Sequence, residues 1–328
     1  MRIAVGAITR RRPQMFAELL ASFAAMERPA GAEVIFVFAE NDAAQTVGPQ
    51  VDAFRARVPE KVVLGLETRP GIPFARNRVL DMAREAGADI LTFVDDDERV
   101  RPDWLVTLVA GLEARGLDLA GGPVQPVAAD ALHGATGRAV LAHLGARAER
   151  RNRKRAAAAR DGTDGSLNLY TNNWALRLAT QDRLGLRFDE SLAQSGGSDT
   201  AFSIALREAG ARSGWVSEAV VEDPVPMQRL TLAYHYARAR DQATNAVVLS
   251  GKSRAKALAQ ALARLLEAVL GLPALPVTRG RGLARITHKL GMADGLARGA
   301  FGRRSAHYAA EAARYHAEPE GRTHPSAR

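Results

Sequence analysis

The sequence predicts an α/β protein, with a mostly parallel sheet flanked by helices and a helical extension at the C-terminal end. Two observations predict this fold. Short apolar segments alternate with segments of helical spacing from residue 1 to residue 121, which is typical of a parallel sheet covered on both faces. From residue 252 onward the spacing is helical throughout. We therefore expect two domains, residues 1–250 and residues 251–328.

The predicted strands are short runs of β-branched and apolar residues. They cover Ile3–Ile8, Glu33–Ala39, Val62–Leu66, Ile90–Val94 and Asp118–Gly121. The helices between them show apolar residues three and four apart, and the last two end at glycines, as helices often do. They cover Pro13–Met26, Val47–Arg57, Pro73–Glu85 and Pro102–Arg115.

The later part of the chain is less regular. Residues 146–160 form a basic, low-complexity segment that is interpreted as an exposed helix or a mobile loop. Residues 168–226 are expected to complete the first domain with mixed structure. The extension opens with an amphipathic helix, whose apolar face is predicted from its helical spacing. That face contains Leu258, Leu262, Leu265, Leu266, Val269 and Leu270.

Composition excludes several classes of site. The chain of 328 residues is 47% hydrophobic and 25% charged, as expected for a soluble globular protein. It contains no cysteine, which excludes disulfides, thiolate metal sites and cysteine nucleophiles and fits a reducing compartment. We expect neither a signal peptide nor a transmembrane helix, because charged residues and prolines interrupt the apolar runs.

The net charge of +9 belongs to the extension. Residues 252–328 hold 14 Lys and Arg against 5 Asp and Glu, so residues 1–251 are neutral overall. A basic tail favours an anionic surface such as phospholipid or nucleic acid, and the alternative is a solvated Arg-rich surface. Specific nucleic-acid binding is not expected, because only 5% of the residues are aromatic and few bases could stack.

Polar residues follow three of the predicted strands. They are Asn41 and Asp42, the segment Arg69–Pro73, and the segment Asp95–Glu98. Ligands of open parallel sheets bind at the carboxyl ends of the strands. Packed carboxylates repel one another unless a cation is present, and Mg²⁺ or Mn²⁺ prefers such oxygen ligands. The alternative is an acidic loop or helix N-terminus.

Two further positions each have two possible interpretations. Arg76 and Asn77, near the start of a predicted helix, could approach a phosphate or a uracil, or Arg76 could be an ordinary surface residue. Asp199 follows two glycines in the segment Ser195–Phe202. Asp199 or Ser198 could cap a helix, and Asp199 could equally act as a general base toward an acceptor hydroxyl.

Seven collinear segments resemble family 2 glycosyltransferases of the GT-A fold, especially bacterial exopolysaccharide enzymes of the succinoglycan type. The segments are Ala7–Pro13, Ala39–Asp42, Ile72–Asn77, Phe93–Glu98, Tyr170–Asn173, Ser195–Phe202 and Asp223–Arg229. The resemblance implies a Rossmann-like GT-A domain. It also implies inverting transfer from a UDP-sugar to a saccharide or lipid-linked acceptor, with Mn²⁺ or Mg²⁺ as cofactor.

The resemblance also implies roles for individual residues. Asp199 would be the catalytic base, and Asp97, Asp95 and Glu222 would hold the metal, with Glu222 or Asp223 standing in for a histidine. Eight residues, Asp95 again among them, would bind substrate, with Asn173 on the acceptor side. They are Thr9, Glu40, Asp42, Arg76, Asn77, Asp95, Asp96 and Asn173.

Departures from the family pattern leave an alternative open. Ser198 and Ala201 replace acidic residues, and Glu222 replaces the histidine. They suggest a catalytically inactive relative that binds a nucleotide sugar or a partner. Because Asp97 and Asp199 are retained, an active enzyme is favoured.

The resemblance suggests where the protein works. Related enzymes use lipid-linked acceptors, so we expect a cytoplasmic protein that lies peripherally at the inner face of the plasma membrane. The contact would be made by the first helix of the extension and the basic residues that follow it. The alternative is a helix packed on the catalytic domain. The basic residues are Arg279, Arg281, Arg285 and Lys289.

Overall fold

The computed structural model describes residues 1–132, 134–193, 196–249, 252–278 and 280–303. Ser195 and Arg279, both named above, and residues 304–328 lie outside these ranges. The chain divides into two compact units, and each is made of two segments. The first is Met1–Val127 with Gly145–Pro224, and the second is Ala128–Leu144 with Val225–Arg328. The domain boundary near residue 250 stays a prediction.

The strands of the main sheet all lie in the first unit. They are β1 (Arg2–Thr9), β2 (Glu33–Glu40), β3 (Lys61–Leu66), β4 (Ile90–Phe93), β6 (Leu119–Gly121), β8 (Trp174–Arg177) and β9 (Ser213–Trp215). A small sheet has the order β5-β10-β7, from β5 (Arg99–Val100), β7 (Val124–Ala128) and β10 (Val221–Val225).

The main sheet has seven strands in the order β3-β2-β1-β4-β8-β6-β9. The strands β3, β2, β1 and β4 are parallel to one another, and β8 is antiparallel to both β4 and β6. The predicted α/β class with a mostly parallel sheet is therefore confirmed. Because β1, β2 and β4 run in the same direction, the polar segments that follow them emerge at one edge of the sheet.

Helices cover the two faces of this sheet. Helices α1, α2 and α4 contribute to one apolar core, and α3, α6 and α7 contribute to the other. The described helices are α1 (Pro13–Ala25), α2 (Gly48–Arg55), α3 (Ile72–Glu85), α4 (Trp104–Ala114), α5 (Ala135–Arg160), α6 (Leu178–Leu184), α7 (Ser198–Glu208), α8 (Leu232–Leu249), α9 (Arg254–Val269) and α10 (Arg281–Ala300). The basic segment 146–160 is thus helical, as one of its two interpretations predicted.

Aromatic packing fixes β2 against α1. The rings of Phe16 and Phe38 meet edge to face at 5.3 Å, and Phe36 meets Phe54 of α2 at 4.8 Å. These rings are almost completely buried. Each such pair contributes about 0.5–1.5 kcal/mol beyond the burial of its area. This packing determines where the carboxyl end of β2, and with it Glu40, lies.

In the second unit, α10 packs closely on α8. A Cβ at Gly291 would lie 2.4 Å from the carbonyl oxygen of Tyr236, and one at Gly295 would lie 2.0 Å from that of Arg240. Only glycine permits this approach of the two backbones. The helical extension predicted from residue 252 is confirmed for the described residues.

Candidate active site

The aspartates that follow β4 are tied to β1. Thr9 ends β1, and its Oγ1 donates a hydrogen bond to Oδ2 of Asp96 over 2.8 Å. Nη1 of Arg12 lies 3.0 Å from Oδ1 of Asp96 and 3.4 Å from Oδ2 of Asp97. Burial raises the pKa of Asp96, while Arg12 opposes that shift. The cation of Arg12 therefore offsets part of the repulsion between adjacent carboxylates.

Arg76 of α3 interacts electrostatically with two further predicted residues, Asp95 and Asp199. Arg76 is only 7% exposed, and its Nη1 donates to Oγ of Ser198 over 3.0 Å. Burial lowers the pKa of Arg76, and the charges of Asp95 and Asp199 act in the opposite direction. Burial raises the pKa of Asp95 to about 7, although Arg76 again opposes the shift. Three segments distant in sequence thus converge on one guanidinium.

Asp199 lies in the first turn of α7, two residues after the N-cap. The N-cap is Gly197, which is in a left-handed conformation with φ of 85° and has no side chain to cap the helix. Oδ1 of Asp199 accepts from the backbone N–H of the next residue over 2.8 Å. The carboxylate of Asp199 therefore satisfies one first-turn N–H of α7, and its role as a general base stays a prediction.

On the β2 side, the two predicted acids have protein partners. Glu40 is fully buried and accepts hydrogen bonds from the backbone N–H groups of Thr46 and Val47 over 2.7 and 3.2 Å. Asp42 accepts two hydrogen bonds from Arg11, over 2.5 and 3.0 Å, which hold its pKa below the ordinary value. Arg11 has φ of 53°, a conformation that side chains other than glycine rarely adopt.

Two predicted asparagines are bonded to the backbone. Asn77 donates to the carbonyl oxygen of Phe188 over 3.0 Å and accepts from its N–H over 2.9 Å. Asn173 donates to the carbonyl oxygens of Pro123 and Ala219 over 2.9 and 2.7 Å. Both side chains are buried, so in this structure each fixes a loop beside the site.

On β10, Glu222 and Asp223 have different surroundings. Glu222 pairs with Arg101, with 3.2 Å between Oε1 and Nε. The charge of Asp223 contributes to raising the pKa of Glu98, so Asp223 lies near the aspartate segment. Successive residues of a strand point to opposite faces. Of the two predicted alternatives for the metal, Asp223 is therefore the one that lies toward the acidic segment.

Arg12, Glu98 and Asn172 were not among the predicted site residues, although all three lie within the collinear segments. Oε1 of Glu98 accepts from Nδ2 of Asn172 over 3.1 Å, and Oε2 accepts from the backbone N–H of Asp95 over 3.3 Å. Burial and the charges of Asp95, Asp97 and Asp223 raise the pKa of Glu98 well above its ordinary value. The signal for Glu98 was its place in the run of four acids.

The acidic residues are compatible with a divalent cation that is held partly by substrate. Among the described residues, no three His, Asp or Glu side chains are grouped to hold a metal ion by themselves. Mg²⁺ and its analogues are commonly bound by one or two carboxylates together with substrate phosphates. Asp97, with a side chain 34% exposed, and Asp95 provide such a pair of hard oxygen ligands.

Comparison with known proteins identifies the family. No model of a known protein family matches the chain. The chain is 33% identical over 237 residues to the succinoglycan biosynthesis protein ExoM of Rhizobium meliloti, which covers 71% of this chain and 70% of that protein. The chain belongs to the ExoM family. This confirms the exopolysaccharide-type glycosyltransferase family that the motifs predicted.

Solved structures show a more distant similarity. The TarS 1–349 structure of S. aureus in complex with UDP-GlcNAc has a TM-score of 0.47 and 16% identity, covering 73% of this chain and 66% of that one. The mannosyltransferase PcManGT of Pyrobaculum calidifontis, in complex with GDP-Man and Mn²⁺, has a TM-score of 0.49 and 18% identity, covering 96% and 79%. At these scores, neither similarity assigns a donor or a metal to a member of the ExoM family.

Proposed function

We propose that this chain is an inverting, family 2 glycosyltransferase. It transfers a sugar from a UDP-sugar to a saccharide or lipid-linked acceptor in exopolysaccharide or surface glycan synthesis. The observation that carries this proposal is the convergence of Asp95, Asp199 and Arg76 beside the aspartates that follow β4. Family membership supports the same activity. We assign the reaction to residues 1–250.

The donor diphosphate would lie along the carboxyl ends of β1 and β4. Arg76 provides the charge for this site, since a buried guanidinium can donate several hydrogen bonds to phosphate oxygens. Its Nε is buried and has no hydrogen-bond partner among the described residues. A phosphate oxygen would satisfy this donor. Thr9, at the end of β1, and Asp96, to which it donates a hydrogen bond, would contact the nucleotide.

In the transfer step, the carboxylate of Asp199 takes the proton from the acceptor hydroxyl. The hydroxyl oxygen then forms a bond to the anomeric carbon, while the bond from that carbon to the diphosphate oxygen breaks on the opposite face. The electron pair of the broken bond stays on the leaving diphosphate. The positive charge of Arg76 interacts with the carboxylate of Asp199, the group proposed as the general base.

A divalent cation, Mn²⁺ or Mg²⁺, would neutralise charge on the leaving diphosphate when bound. Asp97 and Asp95 would hold it, with Asp223 or Glu222 as a further ligand. Arg12 would have to share Asp97 with this cation, because Nη1 of Arg12 lies 3.4 Å from Oδ2 of Asp97. The weaker of the two Arg12 contacts is thus the one to the proposed metal ligand.

The experiment that tests this function is UDP release from a panel of UDP-sugars in the presence of Mn²⁺, Mg²⁺ or EDTA. We expect metal-dependent release from one sugar by the wild type and its loss in Asp97→Ala. Asp52→Ala is the matched control, because the side chain of Asp52 is 71% exposed and pairs only with Arg55 among the described residues. Unchanged release in Asp97→Ala would contradict the assignment.

A second measurement covers the case without turnover. If no sugar is hydrolysed, the thermal stability of the protein with UDP and Mn²⁺ should still rise, because a ligand of the folded state stabilises it. Stabilisation without release would favour the inactive relative that binds a nucleotide sugar. No stabilisation by UDP in either case would remove the donor-site assignment.

We also propose peripheral contact with an anionic membrane at the cytoplasmic face. Within the described part of the chain, Arg254–Ala274 is long and apolar enough to cross a membrane by length and composition, with a hydropathy of 1.4 and 17% of it buried. Helix α9 has 16 residues, however, and is about 24 Å long, whereas a bilayer core needs about 30 Å. An interfacial position fits these dimensions better than a span.

The orientation of α9 supports this contact. Its alanines, Ala257, Ala261 and Ala268, are buried. Its larger apolar side chains point outward, with Leu262 58% and Leu266 55% exposed. The alternative, a helix packed on the catalytic domain, stays a prediction as well. Exposed basic residues accompany the apolar face, as anionic lipid requires. They are Arg254, Lys256, Arg281 and Arg285.

A further inference from the structure

A cavity lies in the first unit, on the far side of β4 from the proposed donor site. Its volume is about 100 Å³, and its walls include Gly122, Arg151, Arg155, Tyr170 and Trp215. In the main sheet, β1 and β2 lie on one side of β4, and β8, β6 and β9 lie on the other. Among the wall residues, Gly122 follows β6, Tyr170 precedes β8 and Trp215 lies on β9. The cavity therefore belongs to the half of the sheet that the donor residues do not use.

A hydrogen bond connects this cavity to the aspartate segment. Asn172, another wall residue, donates from Nδ2 to Oε1 of Glu98 over 3.1 Å. Glu98 directly follows Asp97, a proposed metal ligand. A molecule bound in the cavity would thus lie next to the reacting centre, where an acceptor must lie to attack the donor sugar.

The cavity is cationic. Arg151 and Arg155 are four residues apart on α5 and share one helix face. Burial lowers the pKa of Arg155, and the charge of Arg151 lowers it further. None of the described wall residues is acidic, and neither arginine forms an ion pair with a described carboxylate. An anionic ligand would relieve the repulsion between the two guanidinium groups and pair with their N–H groups.

The cavity also offers aromatic surface. The guanidinium carbon of Arg155 lies 4.4 Å from the ring centre of Trp215 and 5.8 Å from that of Tyr170. Asn152 accepts from Nε1 of Trp215 over 2.8 Å, which fixes that ring. Tyr170 is 40% exposed, so one of its faces is open to a ligand. An exposed ring beside a fixed cation suits a sugar whose apolar face stacks while its anionic substituent meets the arginine.

Resting on the proposed function, we propose that this cavity is the acceptor subsite and selects an anionic saccharide acceptor. Arg151 and Arg155 bind its oxyanion, and Tyr170 stacks on a sugar ring. The oxyanion could belong to a lipid diphosphate or to the carboxylate of an acidic sugar. Both have the oxygen chemistry that paired guanidinium groups recognise. The basic segment of α5, which the motifs left without a role, thereby gains one.

The test measures the affinity of two probes for protein that is saturated with UDP and Mn²⁺, so that the donor site is filled. Two probes are titrated, geranyl diphosphate for the lipid diphosphate and methyl β-glucuronide for the acidic sugar. We expect at least one to bind, and its affinity to fall by about tenfold or more in Arg151→Gln/Arg155→Gln. Arg153→Gln/Arg160→Gln removes the same charge from exposed residues of the opposite helix face and should change affinity by less than about twofold.

The outcomes separate the two proposals. Tighter binding of geranyl diphosphate indicates a lipid diphosphate, and tighter binding of the glucuronide indicates an acidic sugar. A loss of packing between Arg155 and Trp215 could not explain a loss of binding in the single variant Arg151→Gln, because Arg151 is exposed. We expect this single variant to weaken binding as well. Binding of neither probe, or an equal loss in both double variants, would overturn the acceptor subsite. Failure of the donor assignment would show separately, as absence of UDP binding when UDP and Mn²⁺ are titrated into the protein before either probe is added.

Discussion

Nη1 of Arg76 donates a hydrogen bond to Oγ of Ser198 over 3.0 Å, and this bond joins α3 to the residue before Asp199. Ser198 is one of the positions where the family pattern has an acid. A third carboxylate here would compete with Asp95 and Asp199 for the same buried guanidinium. The serine leaves the charge of Arg76 to the two aspartates, so this departure is compatible with an active enzyme.

The first prediction concerns Arg76. Arg76→Lys keeps the charge but loses the planar fork that reaches Ser198 and the diphosphate. We expect kcat for UDP-sugar turnover to fall by about tenfold to a hundredfold, with little change in melting temperature. Arg78→Lys, on the same helix, is the control, because its side chain is 38% exposed. Equal effects of the two substitutions would argue against a role for Arg76 in the site.

The second prediction concerns the pH dependence of stability. Burial raises the pKa of Asp95 to about 7 in the folded protein, against about 3.9 in an unfolded chain. Between these values the folded state holds a proton that the unfolded state has lost, so the free energy of unfolding falls as pH rises. Above pH 7 this destabilisation is complete, and below pH 3.9 it is absent.

Asp95→Asn should remove this dependence. Without metal, we expect the variant to be more stable than the wild type at pH 8, on the order of 2 kcal/mol, and the difference to vanish near pH 3.5. Urea denaturation at a series of pH values measures it. Saturating Mn²⁺ and UDP should reduce the difference, because they stabilise the ionised wild type. A constant difference across pH would show that Asp95 is not the titrating group.

The third prediction separates the charge of Glu98 from its hydrogen bonds. Its carboxyl group accepts from Asn172 and from the backbone N–H of Asp95, and its pKa is raised well above the ordinary value. Glu98→Gln supplies a neutral side chain of the same shape. Its one oxygen can accept from the N–H of Asp95 while its amide N–H donates to the oxygen of a flipped Asn172 amide, so we expect stability at pH 8 to be kept or increased. Glu98→Ala leaves both donors unpaired and should cost about 1–3 kcal/mol. Thermal unfolding of the two variants at pH 8 distinguishes these effects.

The sequence predicted the sheet because each strand and helix carries its own local signal. Ile90–Val94 is an apolar run directly before the aspartates, and the structure has β4 at Ile90–Phe93. Local patterns also located Asp95–Asp97 at a strand end, since parallel strands bring their carboxyl ends to one edge. The pairing of Thr9 with Asp96 follows from the adjacency of β1 and β4.

The sequence could not predict contacts that depend on tertiary structure. Asn77 and Asn173 resemble binding residues in their motifs, but their amides are bonded to backbone groups far along the chain. The outward orientation of the α9 leucines was equally inaccessible, because periodicity defines two faces without showing which one is covered. Arg155 lay in a low-complexity segment, where neighbouring arginines are indistinguishable until the fold brings one against Trp215.

The fourth prediction tests the close packing at Gly122, a wall residue of the proposed acceptor subsite. A Cβ at Gly122 would lie 2.3 Å from the carbonyl oxygen of Ala219 and 2.6 Å from Nδ2 of Asn173. Gly122→Ala must therefore displace Asn173 or the backbone at Ala219, and we expect a loss of about 1–3 kcal/mol in unfolding free energy. Gly48→Ala, in α2 with no atom within 4 Å of the new Cβ, should be neutral or stabilising. Equal stability of both variants would contradict the close approach at Gly122.

The fifth prediction concerns α9 and the membrane. We expect the protein to cofloat with vesicles that contain anionic phospholipid and to bind neutral vesicles weakly, because the apolar face and its basic neighbours act together. Leu262→Ser/Leu266→Ser removes two outward side chains and should reduce cofloating by about tenfold. These positions are exposed, so the melting temperature should not fall.

Leu66→Ser is the control, because Leu66 is 37% exposed at the end of β3 and belongs to the other compact unit. If it reduces cofloating as much as the α9 variant, the contact is not specific to α9. If high salt alone releases the wild type completely, the basic residues act without insertion of the leucines. Residual binding at high salt that is lost in Leu262→Ser/Leu266→Ser is the result that an inserted apolar face requires, since apolar burial is not screened by salt.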